Sequence, residues 1–161
     1  MAEIWGEDRL VAEGFGRVLI ELDWYDGLRA GLAEVDGKVH YFESRNYVDL
    51  VEEVEYRVWP ASDDAVAMER EQWTIYVEWN RRYEAGDVGP GRHPGHGGVD
   101  VRYDELTSLL TPHREAPADA QQLVAEWRFG PGARYQVDGI DTWVRWKARD
   151  TSATNAPDPS Q

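Results

Sequence analysis

The chain predicts an α+β domain: a largely antiparallel sheet of about six strands with one long and one short helix, in the order β-β-β-β-α-α-β-β. Three observations predict it. An Asp36-Gly37 pair stands between two alternating segments, an apolar helical stripe runs between Ser62 and Gly86, and two more alternating segments follow it.

The first strand is read over Phe15–Trp24, where Val18, Ile20, Leu22 and Trp24 alternate with Arg17, Glu21 and Asp23. Asp26-Gly27 is a turn. Arg29–Val35 then pairs with Lys38–Arg45 across Asp36-Gly37, the strongest short-range hairpin signal a sequence offers. A two-residue turn sets the register: Val35 faces Lys38, Ala33 faces His40, Leu32 faces Tyr41 and Gly31 faces Phe42, whose ring can cover the bare glycine backbone. Val54–Trp59 is a fourth strand, ended by Pro60. Ser62 caps a helix with Asp63 and Asp64 in its first turn, at the positive end of the dipole. That helix runs to about Ala85, and Ala65, Met68, Ile75, Tyr76, Trp79 and Tyr83, widened by Trp73 and Val77, form its apolar stripe. The run GDVGPGRHPGHGG, 86–98, excludes regular structure. A short helix follows over Tyr103–Leu110, then strands over Gln122–Phe129 and Ile140–Ala148. Residues 1–149 form one domain, and 150–161 read as a disordered tail.

Composition removes whole classes of function. At 161 residues the chain can bury a core without staples, and having no cysteine it offers no disulfide, thiol nucleophile or cysteine-held metal. A formal charge of −14 argues against gripping a phosphate backbone. No apolar run approaches the roughly 20 residues of a membrane helix, and the opening MAEIWGEDRL lacks a signal-peptide pattern, so the expectation is a cytoplasmic protein that binds neither membrane nor nucleic acid directly. The acids concentrate early: residues 1–85 hold 20 Asp and Glu against 9 Lys and Arg. The densest patch runs from Asp49 through Glu52, Glu53 and Glu55 to Asp63, Asp64, Glu69 and Glu71. Such a surface attracts a basic partner, or simply keeps the protein soluble.

Three constellations bear on chemistry. His93, His96 and Asp100 are the residue types of a metal site, yet Pro94 keeps the histidines off one helical face, and an exposed loop is the simpler reading. Asp23, Asp26, His40 and Glu43 are candidates for acid–base work at the hairpin, although His40 and Glu43 have opposite parity. Among eight tryptophans, Trp24, Trp73, Trp79, Trp127 and Trp146 fall on core patterns. Trp143 lies opposite Val144 and Trp146, on a basic face with Arg145, Lys147 and Arg149. That face is either a binding patch or docks within the chain against the acidic segment 52–55.

The stretch ELDWYDGLRAGLAEVDGKVHYFES, Glu21–Ser44, resembles the opening of a group of small uncharacterised bacterial proteins. Its marks are Asp-Trp-Tyr-Asp-Gly, then Arg, Gly and Ala, and then His-Tyr-Phe-Glu. The segment Glu71–Tyr76 and Trp79 are similar to that group's Trp-rich helix. The resemblance covers about half the chain and implies a shared aromatic hairpin but no activity. It directs attention to Asp23, Trp24, Tyr25, Asp26, Arg29, His40 and Glu43. Two main classes of function follow from the residues. One is a non-enzymatic interaction domain (an inhibitor, immunity or accessory factor) that meets a basic protein through Trp24, Tyr25, Arg29, Glu43, Glu52, Glu53, Glu55 and Trp143, with no cofactor. The other is an enzyme or small-molecule binder using the Asp23/Asp26/Arg29/His40 end of the hairpin. An acidic mimic of nucleic acid is a third possibility.

Overall fold

The structure is a computed structural model, and it describes residues 3–24, 27–44 and 55–148. Eight strands and three α-helices are described: α1 (Glu7–Ala12), β1 (Gly16–Trp24), β2 (Leu28–Val35), β3 (Lys38–Ser44), β4 (Glu55–Pro60), α2 (Asp63–Glu84), α3 (Val101–Leu110), β5 (Gln121–Phe129), β6 (Tyr135–Gln136), β7 (Gly139–Ile140) and β8 (Thr142–Ala148). The expected α+β class and antiparallel pairing are present, with α1 and the β6–β7 ribbon added. None of these helices is long and apolar enough to cross a membrane.

The sheet closes. In the order β1-β2-β3-β4-β5-β8 the strands form a barrel, completed where β8 returns antiparallel to β1 with Gly16 opposite Val144 and Arg17 opposite Trp143. Closure requires a strongly coiled strand, and β1 supplies it through register shifts at Val18/Ile20, Glu21/Asp23 and Asp23/Trp24. The β2–β3 hairpin takes the register expected of its two-residue turn, with Gly31 opposite Phe42 and Val35 opposite Lys38. Asp36 and Gly37 both have positive φ, as that turn demands. A Cβ on Gly31 would stand 2.3 Å from the Ile20 carbonyl and 2.9 Å from the Phe42 ring, so only glycine fits beneath that ring.

Two apolar layers share these strands. Phe42, Tyr56, Trp127 and Trp146 meet in the barrel at ring separations of 5.5–6.1 Å. On the outer face, Leu32, Tyr41 and Trp59 lie side by side, Tyr41 stacked on Trp59 at 5.4 Å. Helix α2 covers that face. Ser62 Oγ accepts the Ala65 N–H at 3.1 Å to start the helix, and Gly86, at φ 80°, ends it. Its buried face is Ala65, Glu69, Gln72 and Trp73, which differs from the stripe of apolar residues read off the sequence; Tyr83 is exposed.

Three further expectations are corrected. Glu69 does not belong to the acidic surface: it is 1% exposed and paired with Arg114. The Gly/Pro/His run holds two 3-10 turns, Pro90–Arg92 and Pro94–His96, because proline presets the backbone of each. Trp143, on the face read either as a binding patch or as docking against segment 52–55, is 6% exposed beneath Leu10 and Phe15 of the N-terminal segment. Strand alternation sets it on the face opposite Val144 and Trp146, as expected, and the N-terminal segment covers that face. Arg145 accordingly turns to Glu126 at 2.8 Å and to the Glu13 carbonyl at 2.7 Å. The tail, 150–161, lies outside the described residues.

Candidate functional site: a cleft between β1 and α2

Helical repetition places Glu69, Gln72, Trp73 and Tyr76 on one face of α2. Where this face passes β1 it leaves a cleft of about 220 Å³, walled by Ile20, Glu21 and Leu22 on one side and by His93 and Tyr103 on the other.

Its floor is a buried polar network. Arg114, from the 3-10 turn after α3, donates through Nε and Nη2 to the two oxygens of Glu69 at 3.0 and 2.6 Å, and through Nη2 to Gln72 Oε1 at 2.6 Å. Tyr41 Oη donates to Glu69 Oε2 at 2.9 Å, joining barrel to helix. Gln72 Nε2 donates to the Tyr103 carbonyl at 3.0 Å and to Thr107 Oγ1 at 2.7 Å, joining α2 to α3. A buried carboxylate is tolerated only when so fully bonded. The rim repeats the pattern: Glu21 accepts from Arg134 Nη2 and from Tyr135 Oη, each at 3.1 Å. Both carboxylates therefore face an arginine, and the cleft is polar without carrying net charge.

The tyrosines around it are held in their neutral form. Burial raises the hydroxyl pKa of Tyr41, Tyr76, Tyr103 and Tyr135, with Glu69 adding to the effect at Tyr41. His93 moves the other way: burial, then the neighbouring His96, lowers its pKa. Its ring lies against Trp79 at 4.5 Å and Tyr76 at 5.5 Å, while Nδ1 accepts the Gly95 N–H at 2.9 Å. In the neutral ring the remaining proton then sits on Nε2 and makes that nitrogen a donor. The cleft thus combines hydroxyl and imidazole donors, carboxylate lone pairs and flat aromatic walls.

Of the residues singled out from the sequence, His93 walls the cleft, while the hairpin candidates and Trp143 fall elsewhere. Asp23 pairs with Ala30, which pairs with Glu43, whereas His40 pairs with Ala33 at the level of Val18. His40 and Glu43 are therefore about 10 Å apart along β3, on opposite faces, and Asp23 does not meet His40. His40 is half-buried with Nδ1 3.0 Å from the Lys38 carbonyl, and Glu43 pairs with Arg57 at 3.3 Å. Trp24 and Arg29 come together at one end of the barrel. Glu55 opens β4, half-buried opposite Val124. Tyr25, Asp26, Glu52 and Glu53 lie outside the described residues. Asp100 caps α3 by accepting the Tyr103 N–H at 2.8 Å, and no group of three His, Cys, Asp or Glu among the described residues is placed to hold a metal ion.

Comparison with protein-family models, with curated proteins and with solved structures finds no match to this chain. Sequence reasoning missed Glu69, Tyr103, Arg114 and Tyr135, since their meeting depends on contacts 31 to 114 residues apart. A legible signal did exist: Glu69 and Gln72 occur at helical spacing with Ala65, Trp73 and Tyr76.

Proposed function

We propose that this protein is a non-enzymatic binding domain whose cleft between β1 and α2 takes a small, neutral, polyhydroxylated molecule of the size of one sugar ring. The observation that carries the reading is the pairing of each cleft carboxylate with an arginine between aromatic walls. Paired Glu and Arg groups give and accept hydrogen bonds without selecting a charge, which suits hydroxyls that must do both. Trp73 and Tyr76, stacked at 5.4 Å, supply an apolar flank of the kind on which a sugar ring lies. A volume of about 220 Å³ is below the roughly 300–1,000 Å³ of drug-sized sites and holds one ring. Proton transfer near neutral pH draws no support here, because the tyrosine hydroxyls are held protonated and Nδ1 of His93 is already an acceptor.

The reading as a partner for a basic protein keeps the charge of −14 as its support. Of its proposed contacts, Trp143 is buried beneath Leu10 and Phe15 and Glu43 is paired with Arg57, so the cleft is preferred.

The test is titration calorimetry against a panel of neutral monosaccharides and inositols, with the tryptophan and tyrosine resonances followed by NMR. At least one panel member is expected to bind with Kd between about 10 μM and 1 mM. Glu21→Gln is expected to weaken it about tenfold, the scale of one charged hydrogen bond. Absence of saturable heat, with the Trp73 and Tyr76 signals unmoved, would refute the proposal.

A further inference from the structure

The barrel has a second concavity, distinct from the cleft. It holds about 420 Å³ at one end and is lined by Trp24, Arg29, Tyr56, Trp127, Phe129 and Thr142 among others. Four of these six are aromatic. Trp24 and Phe129 are exposed, at 42% and 37%, and they lie together at this one recess rather than scattered. Arg29, by contrast, is 6% exposed, a cation in the lining of a mostly aromatic recess. Tyr56 does not compete for the recess with its hydroxyl, which donates to the Leu28 carbonyl at 2.7 Å. Arg134, the partner of Glu21 at the cleft rim, lies on the Trp24 ring, 4.4 Å from its centre, and holds that ring at the mouth.

From this arrangement we infer a second binding site, one for a planar aromatic acid: a ligand whose rings lie among Trp24, Trp127 and Phe129 and whose anionic group points toward Arg29. Mouths of β-barrels are common ligand sites, and an apolar recess with a few convergent polar groups is their usual form. The guanidinium presents five N–H donors in a fork, so it can take an acidic group while keeping other contacts. Thr142, 4% exposed, lines the same recess and offers one more hydroxyl. The chain's charge of −14 opposes any anion at long range, so selectivity has to arise on contact. The two sites differ in kind: the cleft is lined by carboxylates that pair with arginines and favours hydroxyls, while the recess is lined mostly by aromatic rings with Arg29 among them.

The experiment compares two dyes that share their rings and differ in charge, anilinonaphthalenesulfonate and uncharged N-phenylnaphthylamine, each titrated by fluorescence into the full chain. The sulfonate is expected to bind saturably at one site and at least about tenfold more tightly than the uncharged dye, the worth of a charge-assisted hydrogen bond. Trp24→Ala, at an exposed ring, is expected to weaken the sulfonate at least about fivefold with circular dichroism unchanged. Arg29→Met is expected to erase the preference between dyes; if it does not fold, Trp24→Ala and the dye pair still decide. Tyr76→Phe, in the cleft, is expected to leave dye binding as it is, which separates this site from the one proposed above. Equal affinity for the two dyes, binding that never saturates, or an unchanged Trp24→Ala titration would overturn the inference.

Discussion

Gly31 shows how one residue can shape the barrel. A Cβ there would meet backbone at 2.3 Å and an aromatic ring at 2.9 Å, and backbone cannot give way as a flexible side chain can. Gly31→Ala is therefore expected to destabilise the fold by about 1–3 kcal/mol, the usual cost of overpacking, read from the midpoint of urea unfolding. An unchanged midpoint would show that β1 and Phe42 shift freely. Glu69 teaches a different lesson. In the sequence it is one acid among many, and the one local mark of its burial is its helical spacing with Ala65, Trp73 and Tyr76. Only the arrival of Arg114 and Tyr41 turns it from a surface charge into the joint between barrel and helices.

Elements differed in how far they could be read. The β2–β3 hairpin was legible to the residue, because a two-residue Asp-Gly turn leaves one register open. The span of α2 was legible too, from its Ser62 cap and Gly86 stop. Its inward face was legible in part: Ala65 and Trp73 fall on the apolar stripe, but Glu69 and Gln72, which also face the core, are polar and carry no hydrophobic signal. Helix α1 escaped notice because six residues carry too little periodicity to stand out. Its importance lies in Leu10, fully buried with Phe15 and Trp143. Leu10→Ala is expected to cost about 2–5 kcal/mol through the cavity it leaves, and to raise the accessibility of Trp143 to a fluorescence quencher. A loss under 0.5 kcal/mol, within the usual range for surface positions, would mean that α1 does not hold this face closed.

At the scale of the whole molecule, burial acts on the tyrosines together. Tyr41, Tyr56, Tyr76, Tyr103 and Tyr135 all have hydroxyl pKa values raised chiefly by burial, that of Tyr56 to about 12 from 10.0. The folded state holds these protons to higher pH than the unfolded state does. Their contribution is thus complete below pH 10 and is lost as pH rises through the folded values. Tyr56 alone accounts for about 2 kcal/mol of that loss between pH 10 and 12. Urea midpoints followed from neutral pH to pH 12 should fall steeply across that window, together with the appearance of tyrosinate absorbance. Midpoints flat to pH 12 would place the hydroxyls in water. By itself the sequence determined the class, the strand alternation, the hairpin register and the helix caps, because each is set by residues a few positions apart. The tertiary structure alone decided closure of the barrel, the cover over Trp143 and the pairing of Glu69 and Glu21 with distant arginines. Those depend on which surfaces meet, and a chain's local periodicity says which face is apolar without saying what will cover it.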